Sequence, residues 1–479
     1  MRPTLLFYLA VVVATFFVRN NPFFWDTVQL ASKHGHFFYE TDFQSLILPT
    51  EIDSGHPPLF GMYVALVWKV FGKTLCASHF AMLPFLLGIV FFLTAIGKRL
   101  LGQNLAPLLV LLCFADPVLA SQSVLVSPDL VLVCCFLMAV WAIWSEKSWW
   151  LPLGVIGLGL ISTRGMMVGL ALFAFSLFAS TEKLDFPLFF KKLLPFLPGG
   201  LLSASYLLYH WIQTGWVGYH ADSSWGPSFE QVDIQGFMRN IGIMAWRFLD
   251  FGRVFVWVGI AVLGFIGLRR SNWNVPRLDR HQTGWQLVAL TVFVFIAIGP
   301  SQLLFKGLLS HRYFLPFFIP LNFTVLYFLC KENGWASNIP WNRLVIPAHC
   351  LCLATGNLWV YPQKTAMGWD GTLAHLPWYE LVQQSEEFLK SENIPFDKVG
   401  TAFPNIGSRE LYDLNGVADG FVEKNLATNC YVFYSNVMND FSDTEIDEMQ
   451  RDWVVVFQRK MGGVCTILYK NPKKGLCEN

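Results

Sequence analysis

The hydrophobic positions of this chain fall into long blocks separated by short polar stretches. Apolar runs recur at 4–19, 78–97, 104–122, 129–145, 150–162, 165–180, 193–212, 251–268, 285–304, 313–330 and 343–360. Most are roughly 15 to 22 residues long, about the length a helix needs to cross a hydrocarbon core. The pattern predicts an α-helical polytopic membrane protein with about eleven transmembrane helices. Segment 57–72 is also apolar, but it is short, carries Lys69 and begins with two prolines. It reads as an interfacial or half-buried helix. Leu5–Val18 follows Arg2 and has no small-residue cleavage site after it, so it reads as a retained first helix.

From residue 361 the pattern changes. The stretch 377–398 reads as an amphipathic helix, and Val399–Phe403, Cys430–Tyr434, Trp453–Gln458 and Cys465–Tyr469 read as strands. Ser442–Arg451 carries a helix N-cap signature, Ser followed three residues later by Glu. The expected organisation is a membrane part, 1–360, with a long outer loop at 20–56, and a small extracytoplasmic α/β domain at 361–479.

Basic residues of the short loops set the orientation. Lys98, Arg99, Lys147, Lys183, Lys191, Lys192, Arg269, Arg270, Arg277, Arg280, Lys331 and Arg343 gather on one side when the N-terminus is inside. Loops 20–56, 123–128, 213–250 and 305–312 then face the outer side together with the tail. Composition agrees with a membrane protein: 54% of residues are hydrophobic and 14% charged, against about a quarter charged in soluble domains. A net charge of +1 gives no reason to expect nucleic acid. Ten cysteines show no metal-ligand spacing. Cys134, Cys135, Cys350 and Cys352 lie in hydrophobic runs, where packing is the expected role. Cys430, Cys465 and Cys477 lie in the tail, where an exported domain can form one disulfide whose pairing spacing does not fix.

Candidate chemistry collects in the predicted outer loops, and carboxylates beside a membrane are costly unless they are used. Asp26 follows the first span in Phe24-Trp25-Asp26-Thr27. It reads either as the cap of a helix from Thr27 or as a general base at the membrane face. Asp53-Ser54-Gly55-His56-Pro57-Pro58-Leu59 holds an acid and an imidazole against a rigid step. It reads as a polar turn, as an acid–imidazole pair, or as ligands for a divalent cation, with Glu51 as a third donor. Ser127-Pro128-Asp129 lies at a short outer turn, and Asp129 either starts a helix or faces the site. Asp116-Pro117 sits within an apparent span and can kink it. His311-Arg312-Tyr313 opens a late span. Arg312 either reaches toward lipid headgroups or holds a phosphate, with Lys306 as a second cation. Arg164 is a third. Loop 213–250 adds Tyr219, His220, Asp222, Trp225, Glu230 and Asp233, a mixture suited to sugars and equally to ordinary loops.

The Trp-Asp after the first span, the acid before His-Pro-Pro-Leu, the Ser-Pro-Asp and the late Arg-Tyr-Phe-Leu-Pro together resemble the GT-C class of membrane glycosyltransferases. The likeness is nearest to the protein O-mannosyltransferases and the bacterial aminoarabinose transferases, and covers about residues 1–330. It implies a polyprenyl-phosphate sugar donor used on the outer face, with Asp26 as the base. Asp53 matches the acid of the His-Pro-Pro motif, with one extra intervening residue. Asp26 is followed by Thr27, where mannosyltransferases often carry Glu, and no mid-chain lumenal domain is present. A lipid or cell-surface glycan acceptor in a bacterial inner membrane, with the site on the periplasmic side, is therefore expected ahead of a protein hydroxyl. Asp26 and Asp53 are the candidate catalytic residues. His56, Asp129, Arg312 and Lys306 are the candidate substrate and phosphate contacts, with Asp53 and His56 the candidate metal ligands. No organic cofactor is expected. The competing reading is a transporter or lipid flippase, in which the same polar residues line a path.

Overall fold

The computed structural model describes residues 3–145, 149–180, 185–223, 225–269, 282–307, 309–330, 342–365, 367–438 and 440–472. Lys147, Lys183, Arg270, Arg277, Arg280 and Lys331 of the predicted inner loops lie outside the described residues, as does Cys477.

A helix stands at every apolar block read from the sequence, from Pro3–Val18 to Asn342–Thr355. Among the described residues four helices are long and apolar enough to cross a membrane: Leu75–Leu101, Pro128–Ser145, Thr283–Leu303 and His311–Cys330. The block 104–122 is broken into Ala106–Ala115 and Pro117–Gln122. Asp116 makes the break. Its backbone is extended and its Oδ1 accepts the Val118 N–H at 2.9 Å, while Pro117 supplies the fixed first turn. The same carboxylate takes a two-pronged contact from Arg253, at 2.9 and 2.7 Å. Asp116 is thus a structural residue, and the kink expected there is present.

One helix lies where the sequence suggested only loop, and the helix expected after Asp26 extends further than read. Ile234–Leu249 is capped by Asp233, whose Oδ1 accepts from Gly236 at 2.8 Å. The predicted first outer loop contains a helical stretch from Asp26 to Glu40. The segment Leu59–Phe71 is helical and packs on His34–Glu40. Gly61 permits this closeness, because a Cβ there would lie 2.4 Å from the His34 Cβ.

The tail forms a six-stranded mixed sheet. Its strands are β1 (Val399–Thr401), β2 (Gly407–Ser408), β3 (Gly420–Glu423), β4 (Tyr431–Ser435), β5 (Val454–Met461) and β6 (Val464–Lys470), in the order β2-β3-β1-β4-β6-β5. The helix Pro377–Ser391 covers the β5–β6 side, and Asp443–Asp452 carries a complete capping box from Ser442 and Glu445. The β5–β6 hairpin and the capped helix match the sequence pattern. The short strands β2 and β3 carry no such pattern and were not expected. Cys430 and Cys465 are both free thiols. In the β4–β6 register Tyr431 faces Lys470 and Ser435 faces Thr466, so the two thiols lie near opposite ends of the ladder and are too far apart to bridge.

Candidate active site

Trp25 and Asp26 form the first turn after the N-terminal helix. Trp25 has a left-handed backbone, φ 57°, which a bulky residue adopts only where its surroundings impose it. The surroundings are aromatic: its ring meets Phe403 edge-on at 5.0 Å, and Phe24 stacks on His375 at 4.5 Å. The Thr27 hydroxyl closes the turn, donating to the Phe24 carbonyl and accepting its N–H, each at 2.8 Å. A π-helical turn, Val28–Lys33, follows. Such turns are frequent at functional sites. With Thr27 doing the local bonding, Asp26 does not act as a cap, and its carboxylate is directed at Arg312.

Arg312 is the centre of the site. Its side chain is 5% exposed, and it meets three carboxylates: Asp26 through one terminal nitrogen, Asp370 through the other, and Asp129 at 3.1 Å through Nε. This buried charge is paired on several sides, which is what makes it tolerable away from water. Arg164 joins from the break between two helices, reaching the second oxygen of Asp129 at 2.7 Å. Its guanidinium lies 4.1 Å from the Tyr313 ring centroid. The cluster therefore sets three carboxylates against two guanidiniums. Burial pushes the Asp370 carboxyl up to about 6 despite the opposing Arg312 charge, with Asp26 and Asp129 adding to the rise.

Polar bonds fix the cluster in place. Ser127 caps the helix Pro128–Ser145, its hydroxyl accepting from the Asp129 N–H at 3.2 Å and donating to the Gln122 side chain. Gln122 in turn donates to the Asp370 carbonyl at 2.8 Å. Ser127 does the capping, so Asp129 is free to face the arginines.

The cluster forms one wall of a cleft of about 1060 Å³, counting its open mouth. Asp26, His56, Asp129, Arg164 and Arg312 all line it, with Trp225, Phe229, Phe305 and Tyr313 as aromatic walls. Of the three carboxylates on Arg312, Asp26 has a side chain 20% exposed, against 5% for Asp129 and 3% for Asp370. Asp26 is the accessible one. One terminal nitrogen of Arg164 is buried at the cleft and meets no hydrogen-bond partner among the described residues.

His56 and Asp53 separate. His56 lines the cleft, and its Nδ1 lies 3.1 Å from the Thr163 hydroxyl. Burial, with Arg164 nearby, pushes its imidazole down to about 4, so the ring is neutral at pH 7. Asp53 is fully buried behind the cleft. One oxygen accepts the Gly55 N–H at 2.7 Å, and the other meets His210 Nε2 at 2.9 Å. His210 Nδ1 then meets the Trp216 carbonyl at 2.9 Å. Asp53 thus ties the His-Pro-Pro turn to the end of the helix Leu197–Thr214. Gly55 lies inside this knot with φ +67°, and a Cβ there would approach the Gly218 carbonyl oxygen to 2.0 Å. Asp53, a candidate catalytic residue from the sequence, thus has both oxygens engaged and does not line the cleft.

Lys306, a candidate phosphate contact, lies apart from the cleft. It pairs with Glu230 at 3.1 Å on the surface, both side chains more than half exposed, and does not line the cleft. Asp53 and His56 do not form a shared ligand set, because the Asp53 oxygens are engaged elsewhere. No group of three or more His, Cys, Asp or Glu among the described residues is arranged to hold a metal ion. In loop 213–250, Trp225 lines the cleft, Tyr219 stacks on Phe229, His220 faces Asp222 at 3.6 Å and Asp233 caps a helix.

Asp370 is the site residue sequence reasoning missed, since it lies in the stretch assigned to the tail. A signal was present: Trp369-Asp370 repeats the dipeptide Trp25-Asp26. Arg164 was noticed, but only the fold brings it into the cleft.

Residues 55–212 match the model of the dolichyl-phosphate-mannose-protein mannosyltransferase family. The crystal structure of ArnT from Cupriavidus metallidurans bound to undecaprenyl phosphate superposes with a TM-score of 0.53, covering 97% of both chains at 11% identity. The same protein in the apo state gives 0.49 at 14% identity, again over 97% of both chains. None of the curated proteins matches the chain. The likeness to the GT-C class read from the sequence thus rests on two findings: a mannosyltransferase-family match across 55–212, which holds His56, Asp129, Arg164 and His210, and a shared fold along nearly the whole chain.

Proposed function

We propose that the protein transfers a sugar from a polyprenyl-phosphate donor to a hydroxyl of a lipid or cell-surface glycan, with inversion, at the outer face of a bacterial inner membrane. The observation that carries this reading is the Arg312 cluster, in which Asp26 is the one carboxylate open to the cleft. The family match at 55–212 and the shared fold point to the same chemistry. The undecaprenyl phosphate bound by the Cupriavidus protein supplies the donor class.

In this mechanism Asp26 takes the proton of the acceptor hydroxyl as its oxygen attacks the sugar C1 opposite the phosphate. The C1–O bond to phosphate breaks, and its electron pair leaves with the polyprenyl phosphate. The phosphate is already a good leaving group, so positive charge is needed there rather than an acid. Arg164 lines the cleft with a partly exposed side chain that supplies this charge, and Arg312 keeps Asp26 aimed. The neutral His56 ring offers a hydrogen bond without adding charge. The aromatic walls around Trp225 suit a sugar face. A transporter would need these groups along a path between two sides; here they meet at one end of the helices, where Pro128–Ser145, Thr163–Phe178 and His311–Cys330 begin.

The test uses purified protein and radiolabelled polyprenyl-phosphate sugar. Asp26→Asn is expected to lower release of sugar from the lipid phosphate by about 10²–10⁴-fold per folded molecule, a larger loss than the fall in stability from taking one charge partner from Arg312. Near-normal turnover by that variant removes Asp26 as the base. Translocation into vesicles without bond cleavage would favour transport instead.

A further inference from the structure

A second cavity opens on the far side of Trp25, between the first outer loop and the tail domain. Its walls include Trp25, Trp369, Tyr434 and Phe441, and its rim carries Asp440, Asp443 and Lys364. The cavity and the cleft share a boundary built in an unusual way. Trp25 and Trp369 line the outer cavity, while Asp26 and Asp370, the next residue in each case, both bind Arg312 at the cleft. Two Trp-Asp dipeptides from distant parts of the chain thus present their rings outward and their carboxylates inward.

The chemistry of the outer cavity indicates what it takes. Trp369 and Tyr434 are buried behind the cavity, while the half-open rings of Trp25 and Phe441, beside short carboxylate and amide groups, suit the apolar face and the hydroxyls of a sugar ring. Trp369 is rigid, its indole N–H donating to the Asn436 carbonyl at 3.0 Å, and Asn436 itself is held by Gly463 and Cys465. The charges disfavour an anion. Lys364 already pairs with Asp447 at 2.6 Å, and Lys424, near Phe441, with Glu445, which leaves the carboxylates of Asp440 and Asp443 at the rim. A phosphate or acidic ligand would meet two carboxylates, whereas an uncharged sugar meets two acceptors for its hydroxyls.

We infer that this outer cavity binds an uncharged saccharide, the glycan portion of the acceptor, next to the base that would activate its hydroxyl. The inference rests on the glycosyltransferase reading for the word acceptor. Saccharide binding itself does not depend on turnover, so the two can fail separately.

The experiment uses full-length protein in detergent with maltotriose, mannotriose, chitotriose and laminaritriose as probes, read by saturation-transfer NMR. At least one is expected to bind, and Phe441→Ala and Asp443→Asn to weaken that binding at least tenfold. Asp443 is exposed and dispensable for the helix because Ser442 and Glu445 cap it; Phe441 is half-buried against Tyr434, so Asp443→Asn keeps the test independent of any packing loss in Phe441→Ala. Asp26→Asn should leave binding unchanged while abolishing transfer. The idea is overturned if none of the four trisaccharides binds, if binding survives both cavity variants, or if an acidic trisaccharide such as trigalacturonate binds more tightly. Loss of transfer in Asp26→Asn with saccharide binding intact supports both readings. Intact transfer in that variant with binding lost in Phe441→Ala removes the base assignment and keeps the cavity.

Discussion

Asp26 and Asp53 show how alike two residues can look in sequence and how differently burial uses them. Both are acids of the predicted outer loop near a helix start, but Asp26 is open to the cleft and Asp53 is sealed between Gly55 and His210. Asp53→Ala leaves the Gly55 N–H and the His210 ring without their partner, each a buried donor worth about 1–3 kcal/mol when unmet. Thermal unfolding should therefore drop sharply for this variant, and its lost activity should follow the lost folded fraction. Lys306→Ala removes only an exposed pair with Glu230. Such pairs contribute about 0–1 kcal/mol, so both melting temperature and sugar release should match the parent; a large fall in donor turnover would return Lys306 to the site. Asp26, His56, Asp129 and Arg312 were legible because each sits at a predicted outer turn. The burial of Asp53 away from the cleft was not legible, because spacing does not reveal which side of a turn a side chain takes. Asp370 was missed because it lies 344 positions from Asp26 and only the fold, through Arg312 and the packing of Phe24 on His375, brings them together.

Helices were the most legible elements, since long apolar blocks leave little choice in lipid. The break at Asp116 was legible too, from its Asp-Pro pair. The helix Ile234–Leu249 keeps apolar residues at helical spacing, but Gln235, Arg239, Asn240 and Arg247 make it too polar to read as a span, and the surrounding carboxylates and aromatics look like loop. The short turn Leu373–His375 is an element that no pattern announces, yet it bears on the site. His375 stacks on Phe24 and its Nδ1 meets the Thr372 carbonyl at 2.6 Å. Burial pushes this imidazole down to about 4. The unfolded chain then binds a proton near pH 6.5 that the folded chain refuses until about pH 4. Its contribution to stability is intact above pH 6.5 and is lost as pH falls toward 4. His375→Phe keeps an aromatic face toward Phe24 and removes the titration. The melting temperature of that variant should fall less than the parent's between pH 7 and pH 5; equal slopes would show that His375 is protonated in the folded state.

At the scale of the molecule, the tail is bound into the membrane part. The Phe23 N–H donates to the Tyr412 carbonyl at 2.7 Å, Lys73 pairs with Glu410 at 2.6 Å, and Asp370 completes the Arg312 cluster. A chain ended at residue 360 would leave Arg312 short of one carboxylate and free the loop that carries Asp26. It should lose hydrolysis of the donor as well as transfer to an acceptor. Retained hydrolysis with lost transfer would mean that the tail only recruits the acceptor.

The paired Trp-Asp dipeptides bear on this as well. An occupant that presses on Trp25 or Trp369 acts, one residue along, on a carboxylate held by Arg312. Thermodynamic reciprocity then applies: whatever factor an outer ligand imposes on affinity in the cleft, the cleft's ligand imposes on the outer one. Measured in either direction, by titrating polyprenyl phosphate with and without trisaccharide or the reverse, that factor is one number.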